Sequence, residues 1–109
     1  MRRGQIWTAA GGGPYGRKPR PVLVVQDDRF LGTESVTVCL LTSDPTDLPL
    51  FRVTVPADDV TGLREVSRVM VDKVTSTRRD NLRDHVGRLS ATDMVRVERA
   101  LLVFLGLAG

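Results

Sequence analysis

The sequence has a single cysteine and no apolar run long enough to cross a membrane. Cys39 lies inside the apolar stretch at 36–41, where we predict a buried strand, and one cysteine excludes an internal disulfide. No group of cysteine and histidine residues has the spacing of a zinc site. A membrane-spanning helix needs about 20 apolar residues, and no secretion signal follows the first two arginines. We therefore expect a cytoplasmic protein without a metal or another cofactor.

The net charge is only +3, but the charges are sorted along the chain. The first twenty residues carry five basic side chains and no acid, whereas seven acids and two arginines lie between 26 and 60. Basic residues return after 60, with four arginines at 78–88. Fourteen of the sixteen basic residues are arginine, whose planar fork suits contacts to phosphate. This distribution favours an anionic partner.

Short apolar segments separated by turn residues predict a mainly β domain. We expect five strands, at 5–10, 21–28, 36–42, 50–56 and 66–75. The second strand is continuously apolar, so both of its faces should be covered. A loop rich in glycine and proline separates the first two strands, at 11–20.

The last element is a helix with a defined start and end. Ser90 is a suitable N-terminal cap, and Gly106 is a suitable stop. Between them, an apolar stripe recurs at helical spacing, formed by Met94, Val97, Leu101, Phe104 and Leu105. Short strands and one terminal helix indicate the α+β class. We predict an SH3-like, partly open antiparallel β-barrel with a C-terminal helix, in a single domain over 1–109.

Four segments, in the right order and at plausible spacing, carry a family resemblance. They are Arg3-Gly-Gln-Ile-Trp, then Arg20-Pro-Val-Leu-Val-Val-Gln-Asp-Asp, then Leu40-Leu-Thr-Ser, and finally Val71-Asp-Lys-Val-Thr-Ser with Gly87-Arg-Leu-Ser and the closing Leu105-Gly-Leu. Together they resemble the MazF/PemK toxin family, which shares its fold with the CcdB gyrase poisons. The resemblance implies a sequence-selective endoribonuclease that cuts single-stranded RNA, works as a homodimer and is silenced by a cognate antitoxin with an acidic, disordered tail.

Metal-free RNA cleavage uses the substrate's own 2′-hydroxyl as nucleophile, so the enzyme must stabilise charge and move protons. Arg20 is the first candidate, because it lies between Pro19 and Pro21 where the loop meets the second strand. Its guanidinium could fork onto two phosphate oxygens. Thr42 is the second candidate, since a hydroxyl at a strand end can donate to phosphate or orient the 2′-hydroxyl.

Asp72 is the third catalytic candidate, because one branch of the family carries Arg-x-Asp on the equivalent strand. Here Met70 replaces that arginine. Many relatives also have a glutamate in the first loop, but 13–16 here lacks a carboxylate, so the general base is unassigned. Contacts to RNA are expected from five further residues: Tyr15, Arg17, Lys18, Ser43 and Arg78. Tyr15 could stack on a base.

His85, the only histidine, is predicted to be a surface residue in a turn, and Trp7 a core or dimer residue. Met94 and Phe104 are predicted to pack. Two alternatives stay open. A CcdB-like gyrase poison is disfavoured because such poisons act through a tryptophan near the C-terminus, whereas the only tryptophan here is Trp7. A non-catalytic SH3-like module would bind nucleic acid or protein without cutting.

Overall fold

The computed structural model describes residues 1–10 and 18–108. Six strands form one antiparallel sheet: β1 (Gln5–Ala9), β2 (Arg20–Val24), β3 (Ser35–Thr42), β4 (Arg52–Val55), β5 (Ser67–Arg78) and β6 (Leu82–Arg88). One helix follows, α1 (Ala91–Phe104), and single 3₁₀ turns lie at Asp28–Phe30 and Arg79–Asn81. The strand order is β4-β5-β3-β2-β1-β6, so β4 and β6 are edges and the sheet is not closed. The predicted α+β class and partly open arrangement are confirmed.

Both faces of the sheet carry apolar clusters, because successive side chains of a strand point to opposite sides. On β2, Leu23 belongs to the larger cluster, whereas Val22 and Val24 belong to the smaller one. The larger cluster is covered by α1, which contributes the fully buried Val97. The smaller cluster includes Leu82 of β6. The prediction that the second strand is covered on both faces is confirmed.

The helix begins as predicted, but its apolar stripe is only partly covered within the chain. The Ser90 side chain accepts a hydrogen bond from the Asp93 amide at 3.1 Å. Gly106 has a φ of +72°, and the helix ends there. Met94 packs against the core as predicted. Phe104 does not: it is 47% exposed, although its ring lies 6.1 Å from that of Phe51.

The sixth strand was missed, and the predicted turn around His85 is wrong. Segment 82–88 forms an edge strand that pairs antiparallel with β1, with two register shifts. His85 is exposed, as predicted, and its ring stacks on Trp7 at a centroid distance of 5.1 Å. Trp7 is half-buried beside the smaller cluster. Only Leu82 and Val86 are apolar in this segment, so no strand periodicity marks it; its pairing with β1 makes it a strand.

The N-terminal motif around Arg3 has a structural role. The Arg3 guanidinium donates to the carbonyl oxygen of Val25 and forms an ion pair with Glu98 of α1 at 3.1 Å. The Arg3 amide also donates to the Asp28 carboxylate at 2.8 Å. One side chain thus joins the end of β2 to the terminal helix, which helps to hold α1 over the larger cluster.

Candidate active site

A cavity of about 710 Å³ opens where β2 begins and β3 ends. It is bordered by Thr8, Pro19, Arg20, Pro21, Leu41, Thr42, Ser43, Gly62, Leu63, Arg64, Glu65, Ser67, Asp84 and Val86. Its size is that of a typical small-ligand or nucleotide pocket. Three residues predicted from two separate motifs therefore border one space, namely Arg20 from the first and Thr42 and Ser43 from the second.

Strand pairing brings Arg20 and Thr42 together. Val22 lies opposite Leu40 in the antiparallel register of β2 and β3, so continuing that register by two residues places Arg20 beside Thr42. The two residues come from opposite ends of their strands in the chain, yet from the same end of the sheet. In a regular antiparallel pair, two residues lie opposite each other when their residue numbers have the same sum as those of a known pair, here Val22 and Leu40.

The reactive groups of both residues remain available. Arg20 is exposed, and no described residue forms an ion pair or hydrogen bond with its guanidinium. The Asp44 amide donates to Thr42 Oγ1 at 3.1 Å. Because that bond occupies a lone pair and not the hydroxyl hydrogen, Thr42 can still donate to a phosphate oxygen.

One wall of the cavity is the turn before β5, which contacts β6 closely. Gly62 has a φ of +68°, and a Cβ atom there would lie 2.1 Å from the carbonyl oxygen of Val86. Only glycine can occupy this position without displacing β6. The turn itself is held by Asp58, whose carboxylate accepts hydrogen bonds from the amides of Val60 and Thr61, each at 2.9 Å. Backbone contacts thus determine the width of this side of the cavity.

Two carboxylates that the sequence interpretation missed also border the cavity, those of Asp84 and Glu65. Asp84 lies on β6, and its amide donates to Thr8 Oγ1 of β1 at 3.1 Å. Glu65 lies in the connection before β5, and its carbonyl oxygen accepts a hydrogen bond from Ser67 Oγ at 2.9 Å. No local motif singles out Asp84, because its position depends on the β1–β6 pairing.

Asp72 lies outside the cavity lining and pairs with an arginine from a neighbouring strand. Its carboxylate is 3.5 Å from the Arg52 guanidinium, and both side chains are mostly buried. Arg52 of β4 lies directly opposite Met70 of β5. Where the Arg-x-Asp pattern would place an arginine on the same strand as the aspartate, this chain places one beside it from the neighbouring strand β4. Arg52 Nε and Asp72 Oδ1 are buried without a hydrogen-bond partner in the described structure.

The predicted RNA-contacting residues are only partly gathered at the cavity. Ser43 borders it, and Lys18 is exposed two residues before Arg20. Arg78 lies opposite Ser35, at the other end of β3 from Thr42, and its guanidinium is 3.8 Å from the Asp80 carboxylate. The structure does not bring Arg78 to the cavity. Tyr15 and Arg17 lie outside the described residues.

The thiol of Cys39 is fully buried. Burial, with a smaller contribution from the charge of Asp72, raises the pKa of Cys39 to about 12. The thiol is fully covered by the larger apolar cluster, as predicted from its strand. Within residues 1–10 and 18–108, no three His, Cys, Asp or Glu residues form a group that could hold a metal ion. No helix in that part of the chain combines the length and apolar character needed to cross a bilayer.

Comparison with known proteins agrees with this architecture. Residues 2–105 match the family described as PemK-like, MazF-like toxin of type II toxin-antitoxin system. The chain is 58% identical over 109 residues to the probable endoribonuclease MazF of Mycolicibacterium smegmatis, covering 100% of both chains. It is 30% identical over 116 residues to endoribonuclease MazF9 of Mycobacterium tuberculosis, covering 98% of each.

Solved structures give the same result for the fold. A mycobacterial endoribonuclease in complex with its cognate antitoxin superposes with a TM-score of 0.80 at 25% identity, over 100% of this chain and 98% of that one. The MazE-MazF complex from Deinococcus radiodurans superposes with a TM-score of 0.78 at 25% identity, over 99% of this chain and 98% of that one. This chain belongs to the PemK-like, MazF-like toxins of type II toxin–antitoxin systems, and the toxin endoribonuclease expected from its motifs is confirmed at the level of the family.

Proposed function

We propose that this toxin cuts single-stranded RNA at the cavity between β2 and β3, by attack of the substrate's own 2′-hydroxyl and without a metal ion. The observation that carries the proposal is the convergence of Arg20 and Thr42 on one cavity, with the Arg20 guanidinium unpaired among the described residues. A charged fork and a hydroxyl donor are the groups that a developing phosphorane needs.

Each group has a defined task in this mechanism. Arg20 donates two hydrogen bonds to the non-bridging oxygens of the scissile phosphate and stabilises their charge in the transition state. Its pKa above ~12 makes it a poor proton donor near neutrality, so we assign it no acid role. Thr42 donates to a phosphate oxygen or orients the 2′-hydroxyl. The products are a 2′,3′-cyclic phosphate and a 5′-hydroxyl.

The remaining predicted residues serve binding in this proposal. Ser43 and Lys18 lie beside the catalytic pair and would contact phosphates. Tyr15 and Arg17 belong to the loop before Arg20, where stacking and phosphate contacts would extend the bound RNA. Arg78 would contact RNA at a distance from the cavity. A catalytic role for Asp72 stays a prediction, to be tested together with its partner Arg52.

We also propose a cytoplasmic homodimer that is neutralised by a cognate antitoxin. Two structurally similar proteins were solved with their antitoxins. The end of α1 and the residues after it leave a group of apolar side chains between 47% and 72% exposed, namely Val103, Phe104, Leu105 and Leu107. Such a patch is typical of an association surface. An acidic tail would pair with the cavity arginines Arg20 and Arg64, while its apolar side chains would add affinity that charge alone does not supply.

Cleavage of a single-stranded RNA in EDTA tests the mechanism. We expect full activity in the chelator, and 3′ ends that carry a 2′,3′-cyclic phosphate. A substrate with hydrogen in place of the 2′-hydroxyl at the scissile nucleotide should resist the enzyme, because it lacks the nucleophile. Cutting of that deoxy substrate would refute the mechanism.

A further inference from the structure

The proposed mechanism leaves one task without a residue, the removal of the 2′-hydroxyl proton. Arginine and threonine are poor bases at neutral pH. A carboxylate can do this work if it borders the space that the substrate occupies. Among the described residues, two carboxylates border the cavity that contains Arg20 and Thr42, those of Asp84 and Glu65.

Asp84 is the better placed of the two. It lies on a strand, and its backbone is held to β1 by the hydrogen bond from its amide to Thr8 Oγ1 at 3.1 Å. Thr8 in turn lies opposite Pro21, the residue after Arg20. One hydrogen bond and one strand pairing therefore connect the backbone of Asp84 to the residue next to Arg20. Glu65 has a longer side chain and lies in a connection outside the strands, so its carboxylate is positioned less rigidly.

The Asp84 carboxylate is also free to accept a proton. No described cation lies within ion-pair distance of it, and the hydroxyl of Thr8 approaches one oxygen only at 3.5 Å. By contrast, Asp72 is engaged by Arg52 and Asp93 by Arg96.

We infer that Asp84 is the general base of this toxin, an assignment that rests on the proposed function. Its carboxylate takes the proton of the 2′-hydroxyl as the 2′-oxygen bonds to phosphorus. The bond between phosphorus and the 5′-oxygen breaks, and that oxygen takes a proton from solvent. Asp84 then returns its proton to water.

Single-turnover cleavage by D84N tests the assignment, with D59N as the matched control. Asp59 is exposed and lies outside the cavity lining, so the same change of carboxylate to amide there should leave the rate unaltered. We expect D84N to be about 10²- to 10⁴-fold slower, to bind uncleavable deoxy RNA as the wild type does, and to unfold at the wild-type temperature. The D84E variant should be intermediate, because it keeps the base and shifts its position.

A substrate with sulfur in place of the bridging 5′-oxygen separates the base from an acid. Sulfur leaves without being protonated, so this substrate restores activity to enzymes that lack a general acid. D84N should remain as slow relative to wild type on the sulfur substrate as on ordinary RNA. Any of three results would overturn the assignment. D84N could regain the wild-type rate on the sulfur substrate, or it could cut ordinary RNA at the wild-type rate. E65Q could instead show the loss of rate that we expect for D84N, while D84N shows none. Cutting of deoxy RNA by the wild type would instead count against the proposed function itself.

Discussion

The cavity and the groove between β4 and α1 differ in whether their charged side chains have ion-pair partners. At the cavity, Arg20 has no described partner, and the Asp84 carboxylate has no described cation within 4 Å. Beside the groove, Arg52 of β4 pairs with Asp72 of β5 at 3.5 Å. The Arg96 guanidinium there donates to the Thr54 carbonyl oxygen at 2.9 Å. Arg20 and Asp84 at the cavity thus have no described ion-pair partner, whereas Arg52 and Arg96 at the groove each have one.

The two regions also differ in what they expose. The aliphatic residues that border the cavity, Leu41, Leu63 and Val86, are buried or half-buried. A groove of about 370 Å³ between β4 and α1 is instead bordered by exposed aliphatic residues such as Leu50 and Val103, together with arginines. Leu50 is 77% exposed and Val103 is 55% exposed. We assign the first region to chemistry and the second to association. Variants that affect one region and leave the other intact can test this division.

The largest effect is expected at the cavity. Arg20→Ala and Thr42→Ala should each lower the cleavage rate at least ~10²-fold, since each removes one donor to the transition state. Thermal unfolding should change little, because Arg20 is exposed and Thr42 is only half-buried. Single-turnover cleavage and a melting curve on the same preparations measure both quantities. Wild-type cleavage by Arg20→Ala would show that the site is elsewhere.

A smaller effect is expected from a charge on the apolar end of α1. Val103→Glu should raise the dissociation constant of the homodimer at least ~10-fold, because it places a charge in the apolar surface that we assign to the interface. Thr92→Glu, at the exposed first turn of the same helix, is the control. Light scattering over a dilution series reports the mass. A wild type that is monomeric at micromolar concentration, or a Val103→Glu dimer as tight as the wild type, would remove this surface from the assignment.

The smallest effect is expected in stability, at the Arg52–Asp72 pair. Arg52→Leu should lower the free energy of unfolding by about 1–3 kcal/mol, because it leaves the mostly buried Asp72 carboxylate without its partner. Arg99→Leu on the exposed surface of α1 should change it by no more than ~0.5 kcal/mol. Urea denaturation measures both. Equal effects of the two variants would mean that the pair contributes nothing.

The same pair decides whether Asp72 belongs to the active site. Asp72→Asn keeps the shape of the side chain and removes its charge. If Asp72 only holds Arg52, cleavage at a temperature where the variant is fully folded should equal that of the wild type. A loss of rate without a loss of RNA binding would place Asp72 among the catalytic residues, despite its position outside the cavity lining.

Local patterns were sufficient for most elements of the fold. The cap at Ser90 and the glycine at 106 delimit the helix because capping depends on a few consecutive residues. The continuous apolar run at 22–25 is buried on both faces because every side chain in it is apolar. Segment 82–88 differs, since two apolar residues in seven carry no period, and its partner β1 lies more than seventy residues earlier. Local strand propensity cannot predict a pairing between segments so far apart in the chain.

The candidate site divides in the same way. The sequence by itself singled out Arg20, Thr42 and Ser43 as candidates, because these residues lie in short motifs at strand ends that can be recognised without a structure. Only the tertiary structure decided that Asp84 borders the same cavity, that Arg52 stands beside Asp72 in place of Met70, and that Arg78 lies at the far end of β3. The physical reason is that the register between paired strands determines which distant residues of the chain lie side by side. The register depends on the pairing of whole strands, so it cannot be predicted from one local segment of the chain.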